Sequence, residues 1–192
     1  MSPNSLSGDG LAPHDGGVGP EHGLDPELLY EKYEPQVERW VRRLAGPGAD
    51  VEDLVHDVFL VALRRHREFR GDAEVSTWLF RITQLTVRKH RFRRRLHGFL
   101  NLMFRSHSTA QAPRSPTPLE ELERRRQCAR LYQALDRLPE KYRTPIIMFD
   151  IDGRPAAEVA ALLGITVNAV WVRIHRARAR LLDDLSAEGT IP

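Results

Sequence analysis

The sequence predicts an all-α protein of two small helical domains joined by a flexible segment. Three observations predict it. Apolar residues recur at steps of three and four through separate stretches, which is the helical period. No stretch alternates apolar and polar residues as a half-buried strand does. Between the two periodic halves lies a break, residues 96–118, where Pro113, Pro116 and Pro118 stand among Ser and Thr and exclude helix locally.

Residues 1–26 hold six Gly and four Pro with no Lys or Arg, and read as a disordered tail. The first domain is expected over 27–95. Its first helix carries Leu29, Tyr33, Val37, Trp40, Val41 and Leu44 on one face and stops at Gly46-Pro47-Gly48. Asp50 is a ready N-cap for the second helix, whose apolar face is Val51, Leu54, Val55, Val58, Phe59, Ala62 and Leu63. Phe69 to Asp72 reads as a loop. The third helix is expected from about Ser76 to Arg95, with Trp78, Leu79, Ile82 and Leu85 on one side. The start of the linker, Phe99 to Phe104, is unusually apolar: it either extends the third helix onto its own domain or buries against a partner.

The second domain is expected over 119–186, followed by a short tail, 187–192. Cys128, Leu131, Tyr132, Leu135 and Leu138 form a helical stripe that predicts a buried thiol. Pro139 suits the first turn of the next helix. A short helix with Val159, Ala160 and Leu163 inward then meets Gly164, a residue suited to a positive φ. Thr166 can cap a final helix striped by Val170, Ile174, Ala177 and Leu181. This is the layout of a helix-turn-helix, whose second helix enters the major groove of DNA.

Charge supports a nucleic-acid partner by placement rather than by sum, since the formal net charge is only +3. Between Val159 and Leu182 there is no acid, yet Arg173, Arg176, Arg178 and Arg180 lie there. Arg88, Lys89, Arg91, Arg93, Arg94 and Arg95 form a second positive field, in a stretch without acids from Val75 to Leu119. The second helix has the opposite sign, with Asp50, Glu52, Asp53 and Asp57, and suggests a separate protein partner.

Enzymatic readings find little. The lone Cys128 excludes an internal disulfide and a cysteine-rich zinc site. No two of the eight His have a partner at metal-ligand spacing, and no phosphate-binding Gly-rich loop or nucleophile elbow occurs. No catalytic residue, metal or cofactor is expected. Nor is membrane insertion, because no apolar run approaches the ~18 residues of a spanning helix. With no secretory signal visible, a cytoplasmic location is expected.

The segments Asp50-Val-Glu-Asp-Leu-Val-His-Asp-Val-Phe59, Phe69-Arg-Gly-Asp72 and Thr77-Trp-Leu-Phe-Arg-Ile82 resemble region 2 of bacterial extracytoplasmic-function sigma factors. Leu138-Pro-Glu-Lys-Tyr-Arg143, Ala157-Glu-Val-Ala160 and Arg173-Ile-His-Arg-Ala-Arg178 resemble region 4 of the same family, and the two blocks stand in the family's order.

The resemblance implies two helical domains that bind core RNA polymerase and recognise promoter DNA, with the chemistry left to the polymerase. Asp53, His56 and Asp57 would dock on the polymerase clamp. Arg70 and Asp72 would rim a pocket for an unstacked base of the −10 element, with Arg81, Arg88 and Lys89 clamping its phosphates. The −35 element would be read as duplex by Thr166, Asn168, Trp171, Val172, Arg173, His175 and Arg176. Trp171 and Val172 depart from the basic and small polar residues common there; they offer apolar contact to thymine methyls or pack on a neighbour. Leu85 replaces a common Asn, and Pro145 lies inside a family helix. An anti-sigma protein is the expected regulator. The alternative is a stand-alone helix-turn-helix regulator.

A reach test agrees with simultaneous contact. The element names imply a separation of ~25 base pairs, or ~85 Å. A linker over 96–118 spans at most ~76–83 Å extended, before the widths of the domains are added.

Overall fold

A computed structural model describes residues 26–69, 71, 74–104 and 119–187. The tail up to residue 25, most of the linker, and Arg70 and Asp72 lie outside them. The described residues form helices α1 (Pro26–Ala45), α2 (Val51–Arg65), α3 (Val75–Phe104), α4 (Leu119–Arg137), α5 (Glu140–Ile146), α6 (Ala156–Leu163) and α7 (Val167–Ala187), with a 3₁₀ turn at His66–Glu68 and a π-helical turn at Ile147–Ile151. No strand occurs among them.

Local chemistry explains most boundaries. Asp50 accepts a hydrogen bond from the Asp53 amide at 3.1 Å and starts α2. Gly164 ends α6 at φ 63°, and the Thr166 hydroxyl accepts from the Ala169 amide at 3.2 Å to start α7. Pro145 does not break α5 outright. The helix instead relaxes into the π-helical turn, closed by the Asp152 amide bonding to the Ile147 carbonyl and the Arg154 amide to that of Met148.

The first three helices pack around Trp40, with Phe80 meeting its ring edge-on at 5.0 Å. Helices α4 to α7 pack around Leu135, Ile147, Val159, Val170 and Ile174. The two bundles also dock on each other, and their buried residues form one continuous cluster. Across that seam the Tyr132 hydroxyl donates to the Arg43 carbonyl at 2.9 Å, and Gln84 Nε2 donates to Thr144 Oγ1 at 2.9 Å. Gly46, at φ 77°, lies flat against Tyr132: a Cβ there would meet the ring at 2.2 Å.

Four expectations are corrected. The third helix does not end at Arg95 but continues to Phe104, the helical extension that is one of the two readings of Phe99 to Phe104. Leu85 is 53% exposed rather than on the apolar side, because the inward stripe of α3 runs Leu79, Thr83, Val87, Arg91. Cys128 is exposed, and Leu131 with it, because only the C-terminal part of α4, from Tyr132 onward, is buried. Arg91 is not a free cation of the basic run; it is buried in the seam.

Candidate nucleic-acid interface

Helices α6 and α7 turn through 101° at Gly164–Thr166, within the range of DNA-binding helix-turn-helix units. The stripe Val170, Ile174, Ala177 and Leu181 is buried, which turns the opposite face of α7 outward. Asn168, Trp171, Val172, His175 and Arg176 are all exposed on that face, and Arg173 is half-buried beside it. Neither Arg173 nor Arg176 forms a salt bridge among the described residues. The Arg176 guanidinium beside Tyr142, with Lys141 and Arg180, holds that phenol below its ordinary pKa. Thr166 is exposed, but its hydroxyl is engaged in the cap.

Not every arginine of this region is available. Arg178 is held by Asp150, with Nη2 to Oδ1 at 2.6 Å and Nε to Oδ2 at 3.1 Å. Arg180 lies over the Tyr142 ring at 4.9 Å. The π-helical turn therefore braces the outward helix twice, through Asp150 and through Phe149, whose ring meets that of Trp171 edge-on at 5.0 Å. Sequence reasoning missed Phe149. The available signal was Pro145, which forces an irregular turn opposite α7.

On the first domain, Arg81, Arg88, Lys89 and Arg93 project from α3 into solvent, whereas the exposed Arg94 and Arg95 lean towards Asp136, at 3.9 and 3.8 Å, and Arg94 donates to the Pro47 carbonyl at 3.3 Å. Phe92 is 68% exposed among them, a ring on which a base could stack. Arg91 points the other way. Its Nε donates to Asp136 Oδ1 at 2.8 Å and its Nη1 to Glu140 Oε2 at 3.0 Å. Trp78 is half-buried against the core, 5.3 Å from the Phe69 ring.

Asp53, His56 and Asp57 are exposed on α2, opposite Leu54, Val55, Val58 and Phe59. The acidic and basic surfaces thus sit on different helices of one bundle. Among the described residues no cluster of three or more His, Cys, Asp or Glu could hold a metal, and no single helix is long and apolar enough to cross a membrane.

Comparison with known proteins gives this arrangement a family. Residues 29–97 match the model of sigma-70 region 2, and residues 128–181 that of sigma-70 region 4. The RNA polymerase sigma factor CnrH of Cupriavidus metallidurans is 36% identical over 77% of this chain and 79% of its own. The ECF RNA polymerase sigma-E factor of Escherichia coli is 32% identical over 79% of this chain and 81% of its own. Among solved structures, CnrH in complex with the cytosolic domain of CnrY superposes with a TM-score of 0.51 at 29% identity, covering 84% of this chain and 88% of CnrH. The sigma factor RpoE of Bartonella quintana, solved with the anti-sigma factor NepR, shares the fold at a TM-score of 0.52 and 22% identity, over 83% of this chain and 96% of its own. Two helical bundles in this order, one of them carrying an arginine-flanked helix-turn-helix, and relatives matched over most of their length together mean that the chain belongs to the extracytoplasmic-function sigma factors, the subunits that direct RNA polymerase to promoters.

Proposed function

We propose that this sigma factor divides its work between units at 27–95 and 119–186. The first binds the polymerase through Asp53, His56 and Asp57 and captures the −10 strand with Arg70, Asp72, Arg81, Arg88 and Lys89. The second reads −35 duplex with Asn168, Trp171, Val172, Arg173, His175 and Arg176. Thr166 joins them from the start of α7, where its exposed hydroxyl also caps the helix. The observation that carries this reading is the outward face of α7: five exposed residues of base-contacting or phosphate-contacting types, in a window without an acid.

The polymerase supplies all bond making, so no residue of this chain is assigned a catalytic step. Work on chromosomal DNA fits a cytoplasmic location. Control by an anti-sigma protein fits the complex of Bartonella RpoE with the anti-sigma factor NepR.

Transcription by core polymerase on a genomic promoter pool tests the assignment. Wild-type chain should produce discrete start sites, and Asp53→Lys/Asp57→Lys should lose them together with core binding. A chain that ignores core polymerase yet binds palindromic duplex alone would instead be a free-standing regulator.

A further inference from the structure

Of the four exposed large apolar side chains of α7, Val167, Trp171, Val172 and Leu182, two stand side by side in its second turn: Trp171 is 47% exposed and Val172 42%. Exposed tryptophan on a surface helix is costly to hydration and informative about partners. Its position narrows the partner. Trp171 and Val172 lie in the second turn of the helix that a helix-turn-helix inserts into the major groove, where its N-terminal residues meet base edges. Arg173, His175 and Arg176 adjoin them without an intervening acid, which suits a polyanion and disfavours an acidic protein surface. The indole is also pre-positioned, since Phe149 meets it edge-on at 5.0 Å from a turn that Asp150 ties to Arg178.

We propose that Trp171 and Val172 read thymine by its 5-methyl group in the upstream promoter duplex, with Phe149 as the positioning residue that holds the indole edge. The thymine methyl is the one apolar feature that a base pair shows in the major groove. A ring already held against Phe149 loses little rotamer freedom on contact. This rests on the reading that α7 faces duplex DNA.

The test is binding of the full chain, with core polymerase, to duplexes that it selects from a random pool, remade with uracil for thymine. Wild type should lose about fourfold in affinity per contacted methyl, the value of one buried methyl group. Trp171→Ala/Val172→Ala should bind more weakly and be indifferent to the exchange, with Trp171→Ala alone in between. Phe149→Leu should keep the fold and core binding while blunting the methyl preference. Equal binding of thymine and uracil duplexes by wild type overturns the proposal, as does a Trp171→Ala/Val172→Ala chain that retains the preference. Loss of core binding in Trp171→Ala with duplex affinity unchanged would make the patch a protein-docking face instead. A wild-type chain that selects no duplex overturns the DNA reading itself.

Discussion

Two sets of arginines in this molecule do opposite things, and the difference lies in what faces them. In the seam, Arg91 and Arg143 are 5% and 0% exposed and converge on Asp136, which Arg143 Nη2 meets at 3.2 Å. On α7 and the outer side of α3, Arg176, Arg88 and Arg81 face solvent without a carboxylate partner among the described residues. A guanidinium bound to carboxylates inside the protein has committed its donors to the fold. One left in solvent keeps its fork for phosphate or guanine.

The buried set also bears a cost. Desolvation, with the neighbouring Arg91 charge, pulls the Arg143 pKa down to about 10, and its Nε and Nη1 find no partner. The group nonetheless remains charged at neutral pH, and Asp136 and Glu140 act to keep it so. A base whose folded pKa is lowered adds stability only as pH rises through that value. Arg143 therefore contributes no slope to stability between pH 6 and 9.

The contrast can be broken at graded cost. The largest effect is expected for Gly46→Val, which combines a positive φ with a collision against Tyr132; it should destabilise the chain by roughly 3 kcal/mol or more, read from a denaturant midpoint. Next comes Arg91→Ala, which takes from Glu140 its cation and leaves Asp136 to Arg143 in the seam. Both carboxylates are partly solvated, so roughly 2–3 kcal/mol is expected in the same assay. Thr166→Ala removes only the cap of α7 and should cost about 1 kcal/mol, while Thr166→Ser should restore it. Cys128→Ser should lie within about 0.5 kcal/mol of wild type, because the thiol is exposed.

Local chemistry made much of this legible in advance. The Asp50 cap, the Gly164 turn, the Thr166 cap and the four-residue stripe of α7 all act within a few residues of chain, so the sequence displays them directly. The outward placement of Asn168, Trp171, Val172, His175 and Arg176 follows from that stripe. Pairings over long separations were not legible. Arg91 looks like its neighbours in the basic run, and its partner Asp136 stands 45 residues away. A hint was present nonetheless: Leu79, Thr83, Val87 and Arg91 continue one i, i+4 line, so the arginine at its end was bound to face inward. Cys128 misled for the complementary reason. An apolar stripe predicts burial only where a neighbouring helix covers it, and the earlier part of α4 is left exposed.

The most direct test of the division between holding and gripping arginines is one paired measurement on the full chain with core polymerase: duplex affinity against salt, beside the thermal midpoint. Arg176→Ala should flatten the slope of log affinity on log salt by about 1, the value of a single neutralised phosphate, with the midpoint unmoved. Arg91→Ala should lower the midpoint while the folded fraction keeps the wild-type slope. An unaltered slope in Arg176→Ala, or an equal fall in slope in Arg91→Ala, would contradict the account.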